Sequence, residues 1–308
     1  MAVTEKGPPM PLSPRRHWAA ALLGLSVVVA GCGHSTTPQA GKTETVSSAS
    51  IAVAEPTNTD VNGNGRADSD PSDTEWPGKM TVVYEDATTP EAVRGRQFME
   101  ANNLLPQLAD DINDTLKLPH NITLKGSQCG QPNDFWSSGD NAITMCYEDA
   151  SNSLDVFTKL HDADPEKSAF HTELEAFYHE TGHMVVDIYD LPTTGRDEDV
   201  ADQASAYLLF RPNAEGVIDA DSIEAIRDTA RWYEASAGEV DDGALADVHS
   251  PDKARMYNFE CWAYGADPEQ SADLVSNGTL PEDRAEGCEG EYDQLEKAWG
   301  RLLDPYLK

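Results

Sequence analysis

Two histidines four residues apart, with a glutamate directly after the first, constrain this chain more than any other feature: His179-Glu180-Thr181-Gly182-His183. Around them Phe170, Leu174, Phe177, Thr181, Met184, Val185 and Ile188 recur at three- and four-residue steps, which predicts an amphipathic helix over 165–189. Leu191-Pro192 then stops it. Four residues advance a helix by about 40° beyond one full turn, so both imidazoles leave the same face. Two neutral ring nitrogens converging there can hold one zinc ion. Glu180 sits one step round, where it can take a proton from a water beside that ion. Gly182 in mid-helix costs about 1 kcal/mol relative to alanine, which makes sense if another segment approaches closely at that point.

Beyond His183, Glu198-Asp199-Val200-Ala201-Asp202 carries two carboxylates at Glu-x-x-x-Asp spacing, on one face of a helix expected over 198–210. One of them can ligate a metal while the other accepts the free ring N–H of a ligand histidine and fixes its tautomer. Other third ligands fit less well. Val186 and Tyr189 occupy the positions where a His-rich form of the motif needs a glycine and a further ligand. Asp187 and Asp190 lie too close on the same helix, and Asp199 points off the Glu198 face. Hydrolysis at such a site also needs a donor for a developing oxyanion. His249 is the candidate, with Asp247 near enough to orient it, and Tyr207 and Tyr257 are alternatives. His120, His161 and His171 show no partner spacing.

The rest of 79–308 reads as one mostly helical α+β domain with a small sheet near its start. Strands are expected at 80–84, 122–124 and 143–147, the last two on either side of a loop rich in Gly, Asn and Ser. Helices are expected over 91–116, with a break near Pro106, and over 222–235, 251–264, 267–275 and 284–303. Cys129, Cys146, Cys261 and Cys288 form an even set that predicts two disulfides in an exported chain. Small loops favour nearest-neighbour pairing among the three possible connectivities. No Cys-x-x-Cys pair is present, which argues against a cysteine zinc site.

The front of the chain is an address. Residues 1–31 read as a secretion signal, with Arg15-Arg16 before a short apolar stretch. Val29-Ala30-Gly31-Cys32 resembles a bacterial lipobox, in which Cys32 becomes the lipidated first residue. Residues 32–78 are rich in Ser, Thr, Pro, Gly, Asp and Asn and read as a flexible tether. Within it, residues 60–68 match a calcium loop in part, but Pro71 stands where the bidentate carboxylate belongs, so a polar linker is expected there. With 22 Lys+Arg against 55 Asp+Glu, the chain carries a formal charge of −33. It repels phosphate backbones, so nucleic acid is not an expected partner.

His-Glu-x-x-His followed by Glu-x-x-x-Asp resembles the gluzincin metallopeptidases, including the thermolysin type. More closely, several segments resemble the bacterial metallopeptidase family called domain of unknown function 4344. These are Cys129-Gly130-Gln131-Pro132-Asn133, Met145-Cys146-Tyr147-Glu148, Phe177-Tyr178-His179-Glu180, the stretch 195–203 and Cys261-Trp262-Ala263-Tyr264-Gly265. The resemblance spans about 79–308 and implies a zincin-like domain. It implies His179, His183 and Glu198 as zinc ligands, Glu180 as catalytic acid/base and Asp202 as the partner of a ligand histidine. The gap between His183 and Glu198 is shorter than in thermolysin, which leaves less room for an insertion. The expectation is a lipid-anchored, extracytoplasmic zinc peptidase acting on peptides or proteins. A catalytically silent zinc-binding lipoprotein is the alternative, and the presence of Glu180 beside the site favours the enzyme. If Cys32 carries the anchor, Cys32→Ala moves the protein from the membrane to the soluble fraction; unchanged fractionation excludes that anchor.

Overall fold

The computed structural model describes residues 76–213 and 215–308. The signal, Cys32, the tether and the calcium-like stretch lie outside the described residues. Chain order begins with β1 (Met80–Tyr84), α1 (Pro90–Ala101), α2 (Leu104–Thr115), β2 (Ile122–Ser127), β3 (Asp134–Ser137) and β4 (Ala142–Cys146). Next come α3 (Tyr147–Lys159), α4 (Pro165–Ile188), α5 (Asp197–Leu209) and α6 (Ala220–Ser236). The short α7 (Asp242–Ala246), then α8 (Asp252–Ala266), α9 (Ala272–Ser276), α10 (Glu282–Ala285) and α11 (Cys288–Leu303) follow. The architecture is α+β, a small sheet on the N-terminal side of a largely helical body.

The sheet order is β1-β2-β4-β3. β1, β2 and β4 run parallel, which requires the α1–α2 crossover between β1 and β2. β3 folds back antiparallel on β4, with Asp134 opposite Met145 and Ser137 opposite Ala142. Every residue of β4 is buried, as expected for an inner strand. β3 lies within the loop expected between two strands; its four residues are too few to show an alternating pattern. The strand expected at 143–147 gives way at Tyr147, which opens α3, a helix whose polar sequence carries little apolar signal.

The helix break expected near Pro106 falls earlier, at Asn102 and Asn103, where Asn103 takes a left-handed φ of 52°. Pro106 sits in the first turn of α2, where a missing N–H leaves no hydrogen bond unmade. The helices expected at 267–275 and 284–303 are also more broken than their patterns imply. α9 starts only at Ala272, and α10 and α11 are separate helices.

α4 is the axis of the body. Asp164 caps its N-terminus by accepting from the Lys167 N–H, and Pro165 opens the first turn. At 24 residues it spans about 36 Å. The expected amphipathic helix is instead buried on nearly all sides from Ser168 to Val185, because α3, α5, α6, β3 and β4 all pack on it. Its polar side chains are therefore held away from water.

Gly182 explains how α5 comes so near. A Cβ there would stand 2.8 Å from the Ala204 Cβ and 3.0 Å from the Ala201 Cα. The close segment expected from the glycine is thus α5, helix against helix. Two disulfides, Cys129–Cys146 and Cys261–Cys288, close the nearest-neighbour loops. Gly182→Ala isolates the packing contribution, since helix propensity alone would stabilise by about 1 kcal/mol. Steric conflict predicts the opposite sign, a loss of about 1–3 kcal/mol in urea unfolding. A gain in stability would contradict the close α4–α5 contact.

Candidate metal centre

The α4–α5 contact brings three ligand atoms to one point. His179 Nε2 lies 3.1 Å from Glu198 Oε2, His183 Nε2 lies 3.3 Å from the same oxygen, and the two Nε2 atoms are 3.3 Å apart. A tetrahedral zinc with bonds of about 2.0–2.1 Å sets its ligand atoms about 3.3–3.4 Å from one another. The triangle therefore has the size of one face of a zinc tetrahedron. Two imidazoles and a carboxylate are also the donor types that ion accepts.

Electrostatics point the same way. Arg255 Nε donates to Asp202 Oδ2 at 2.8 Å, and Arg255 Nη2 also reaches Asp202, so Asp202 is a carboxylate. Its Oδ1 lies 2.8 Å from His179 Nδ1, which must then be the donor. That leaves the His179 Nε2 lone pair facing a carboxylate oxygen, an arrangement that needs a proton or a cation between them. With a proton there, burial lowers the His179 pKa, but hydrogen bonds to Asp202 and Glu198 outweigh it and push the pKa up to about 10. Hydrogen bonds from His179, His183 and His249 hold Glu198 far below the usual carboxylate range. Burial alone would raise Asp202, yet the Arg255 charge beside it, with the His179 hydrogen bond, keeps it low. Arg255 in turn lies 4.2 Å from the centroid of the Tyr233 ring.

Glu180, next to His179 on α4, meets the sheet. Its Oε2 accepts the Trp136 backbone N–H at 2.7 Å, while Trp136 Nε1 donates to Asp187 Oδ2 at 3.0 Å. The edge strand β3 is thereby tied to α4 at the residue between the two histidines. A cleft of about 260 Å³ opens here, lined among others by Asp134, Asp149, His179, Glu180, Trp232 and His249. His249 stands half-exposed at its edge, with Nε2 3.1 Å from Glu198 Oε2 and Nδ1 3.1 Å from Asp247 Oδ1. The Glu198 carboxylate raises its pKa. Tyr207 and Tyr257, the alternative donors, are not part of the cleft lining; Tyr257 lies beneath Lys253.

The structure thus brings together His179, His183, Glu198, Asp202, His249 and, beside them, Glu180. The four cysteines lie in disulfides. His171 pairs with Asp228 at 2.7 Å. Sequence spacing gave no hint of Arg255 or Trp136, since each reaches the centre from a distant element.

The family model described as "Putative metallopeptidase", domain of unknown function 4344, matches residues 84–303. No curated protein and no solved structure matches the chain.

The raised His179 pKa fixes the sign of a pH effect. In the metal-free fold this proton contributes stability that is fully present below about pH 6.5 and is lost as pH rises through about 10. A metal ion bound at Nε2 would have to displace it. Apparent zinc affinity should therefore increase about tenfold per pH unit between pH 7 and 9 for each proton released. Calorimetry in buffers of different ionisation enthalpy counts those protons, and a count of zero at pH 7 would contradict the protonated metal-free centre.

Proposed function

Because the chain belongs to the metallopeptidase family of domain of unknown function 4344, we propose that it is a gluzincin-type zinc peptidase, with His179, His183 and Glu198 as its metal ligands. The observation that carries this reading is the 3.1–3.3 Å triangle of those three ligand atoms, one of which, His179, lines a cleft together with Glu180, a glutamate outside the triangle. Bound there, zinc would polarise the scissile carbonyl and acidify a water molecule.

The residues of the chain then divide the work. Asp202 fixes His179 with its Nε2 toward the ligand triangle, and Arg255 keeps Asp202 ionised. Glu180 accepts the water proton and passes it to the departing amine. The Trp136 N–H holds the Glu180 carboxylate in place through Oε2 and leaves its other oxygen for that exchange. His249, whose pKa Glu198 raises and whose ring Asp247 orients, donates to the carbonyl oxygen as negative charge develops on it. Substrates on this reading are peptides or proteins. The signal and lipobox sequence support an extracytoplasmic enzyme held at a membrane through lipidated Cys32.

Two glutamates beside one metal have different jobs, and that difference is the test. Glu180→Gln keeps size but removes the base, so zinc should remain near one per chain while peptide hydrolysis falls about 100- to 10,000-fold. Glu198→Ala removes a ligand, so zinc content and thermal stability should fall together. Metal analysis beside turnover decides it. Zinc loss in Glu180→Gln, or full zinc affinity in Glu198→Ala, would overturn the assignment.

A further inference from the structure

A second convergence of ligand-type side chains lies along the same cleft, built without the metal triangle. Asp134 heads β3, Asp149 stands in the first turn of α3, and Glu173 is on α4 six residues before His179. One carboxylate oxygen from each lies within 4.8 Å of the others. Asp134 and Asp149 are partly exposed and line the cleft, so the group is open to it, while Glu173 behind them is 0% exposed.

The hydrogen bonds of this group are incomplete. Both carboxylate oxygens of Glu173 are buried without a hydrogen-bond partner, and so is Asp134 Oδ2. Asp134 Oδ1 accepts the Cys146 N–H at 2.7 Å, which aims the carboxylate. Ser153 Oγ lies next to Glu173 without reaching hydrogen-bond geometry. Among the described residues no lysine or arginine pairs with any of the three acids. Burial pushes Asp149 up to about 6, and burial together with the Asp149 charge raises Asp134 and Glu173 well above the carboxylate range. Three carboxylates from three elements have thus been gathered where burial opposes their charge.

We propose that Asp134, Asp149 and Glu173 form a binding site for a hard divalent cation of the calcium type. The donor set is oxygen throughout, with no imidazole or thiolate, which selects against zinc and for calcium, magnesium or manganese. Calcium bonds of about 2.3–2.6 Å place opposite ligand atoms up to about 5 Å apart, which accommodates all three oxygens around one ion. Cleft water completes the shell. The cation ties β3 to α3 and α4 two residues before Trp136, whose N–H holds Glu180. Its occupancy therefore steadies the strand that places the Glu180 carboxylate. The site is independent of the zinc reading and can be tested apart from it.

The mature chain is stripped of metal, reloaded with one equivalent of zinc, and melted with and without calcium chloride. Saturating calcium should raise Tm by about 5 °C or more at roughly 100 times Kd. Terbium should bind with one-to-one stoichiometry, emit through nearby tryptophan, and be displaced by calcium. Asp149→Asn and Glu173→Gln should each abolish the Tm shift, and Glu173→Gln should itself fold well because it keeps the side chain's size and brings no charge into the interior. Asp60→Ala, in the calcium-like stretch of the tether, should leave the shift intact. Absence of any calcium or terbium response in the unaltered chain overturns the proposal. So does a response that survives both cluster substitutions, or one that is lost in Asp60→Ala.

Discussion

The approach of α5 to α4 at Gly182 is the constraint on which the centre depends. Two histidines on one helix define an edge, and a metal face needs a third point at a fixed distance from both. Glu198 supplies that point from the first turn of a second helix, and only a glycine at 182 lets Ala201 and Ala204 come near enough. A methyl group there would meet the Ala204 side chain and the Ala201 backbone together, so neither helix could yield by a rotamer change alone. The 3.1–3.3 Å triangle is therefore a product of helix packing more than of any one side chain.

Around that contact the molecule holds polar groups in its interior by pairing them in sequence. His179 is buried and leans on Asp202; Asp202 is buried and is held by Arg255; Arg255 packs over the Tyr233 ring. Breaking a buried pair leaves its survivor uncompensated, at a cost of about 3–5 kcal/mol. Glu175 follows the same rule with Ser205 at 2.6 Å, though burial still pushes its pKa to about 7. Glu173, on the same helix, has no hydrogen-bond partner, and that exception directs attention to the acidic group beside β3.

Legibility from the sequence followed the range of the interaction. The 165–189 helix, the shared face of His179 and His183, and the pairing of Glu198 with Asp202 all depend on helical spacing, and the residues stand together in the fold. Nearest-neighbour disulfides are similarly local. Arg255 could not be read, because it meets Asp202 across 53 residues and nothing near it marks the encounter. β3 escaped notice because four residues become a strand only through β4. The spacing of α4 predicts an amphipathic helix, yet α2, α3, α5, α6, β3 and β4 all pack on it, and burial of that kind is a tertiary property. The convergence of Asp134, Asp149 and Glu173 is invisible along the chain for the same reason.

The most direct test of this account is anomalous diffraction at the zinc absorption edge from crystals of the zinc-loaded protein. The account predicts one strong peak about 2.0–2.1 Å from His179 Nε2, His183 Nε2 and Glu198 Oε2, with Glu180 outside the coordination sphere. A zinc peak bound by Glu180, or density at the acidic group beside β3 with none at the triangle, would contradict it.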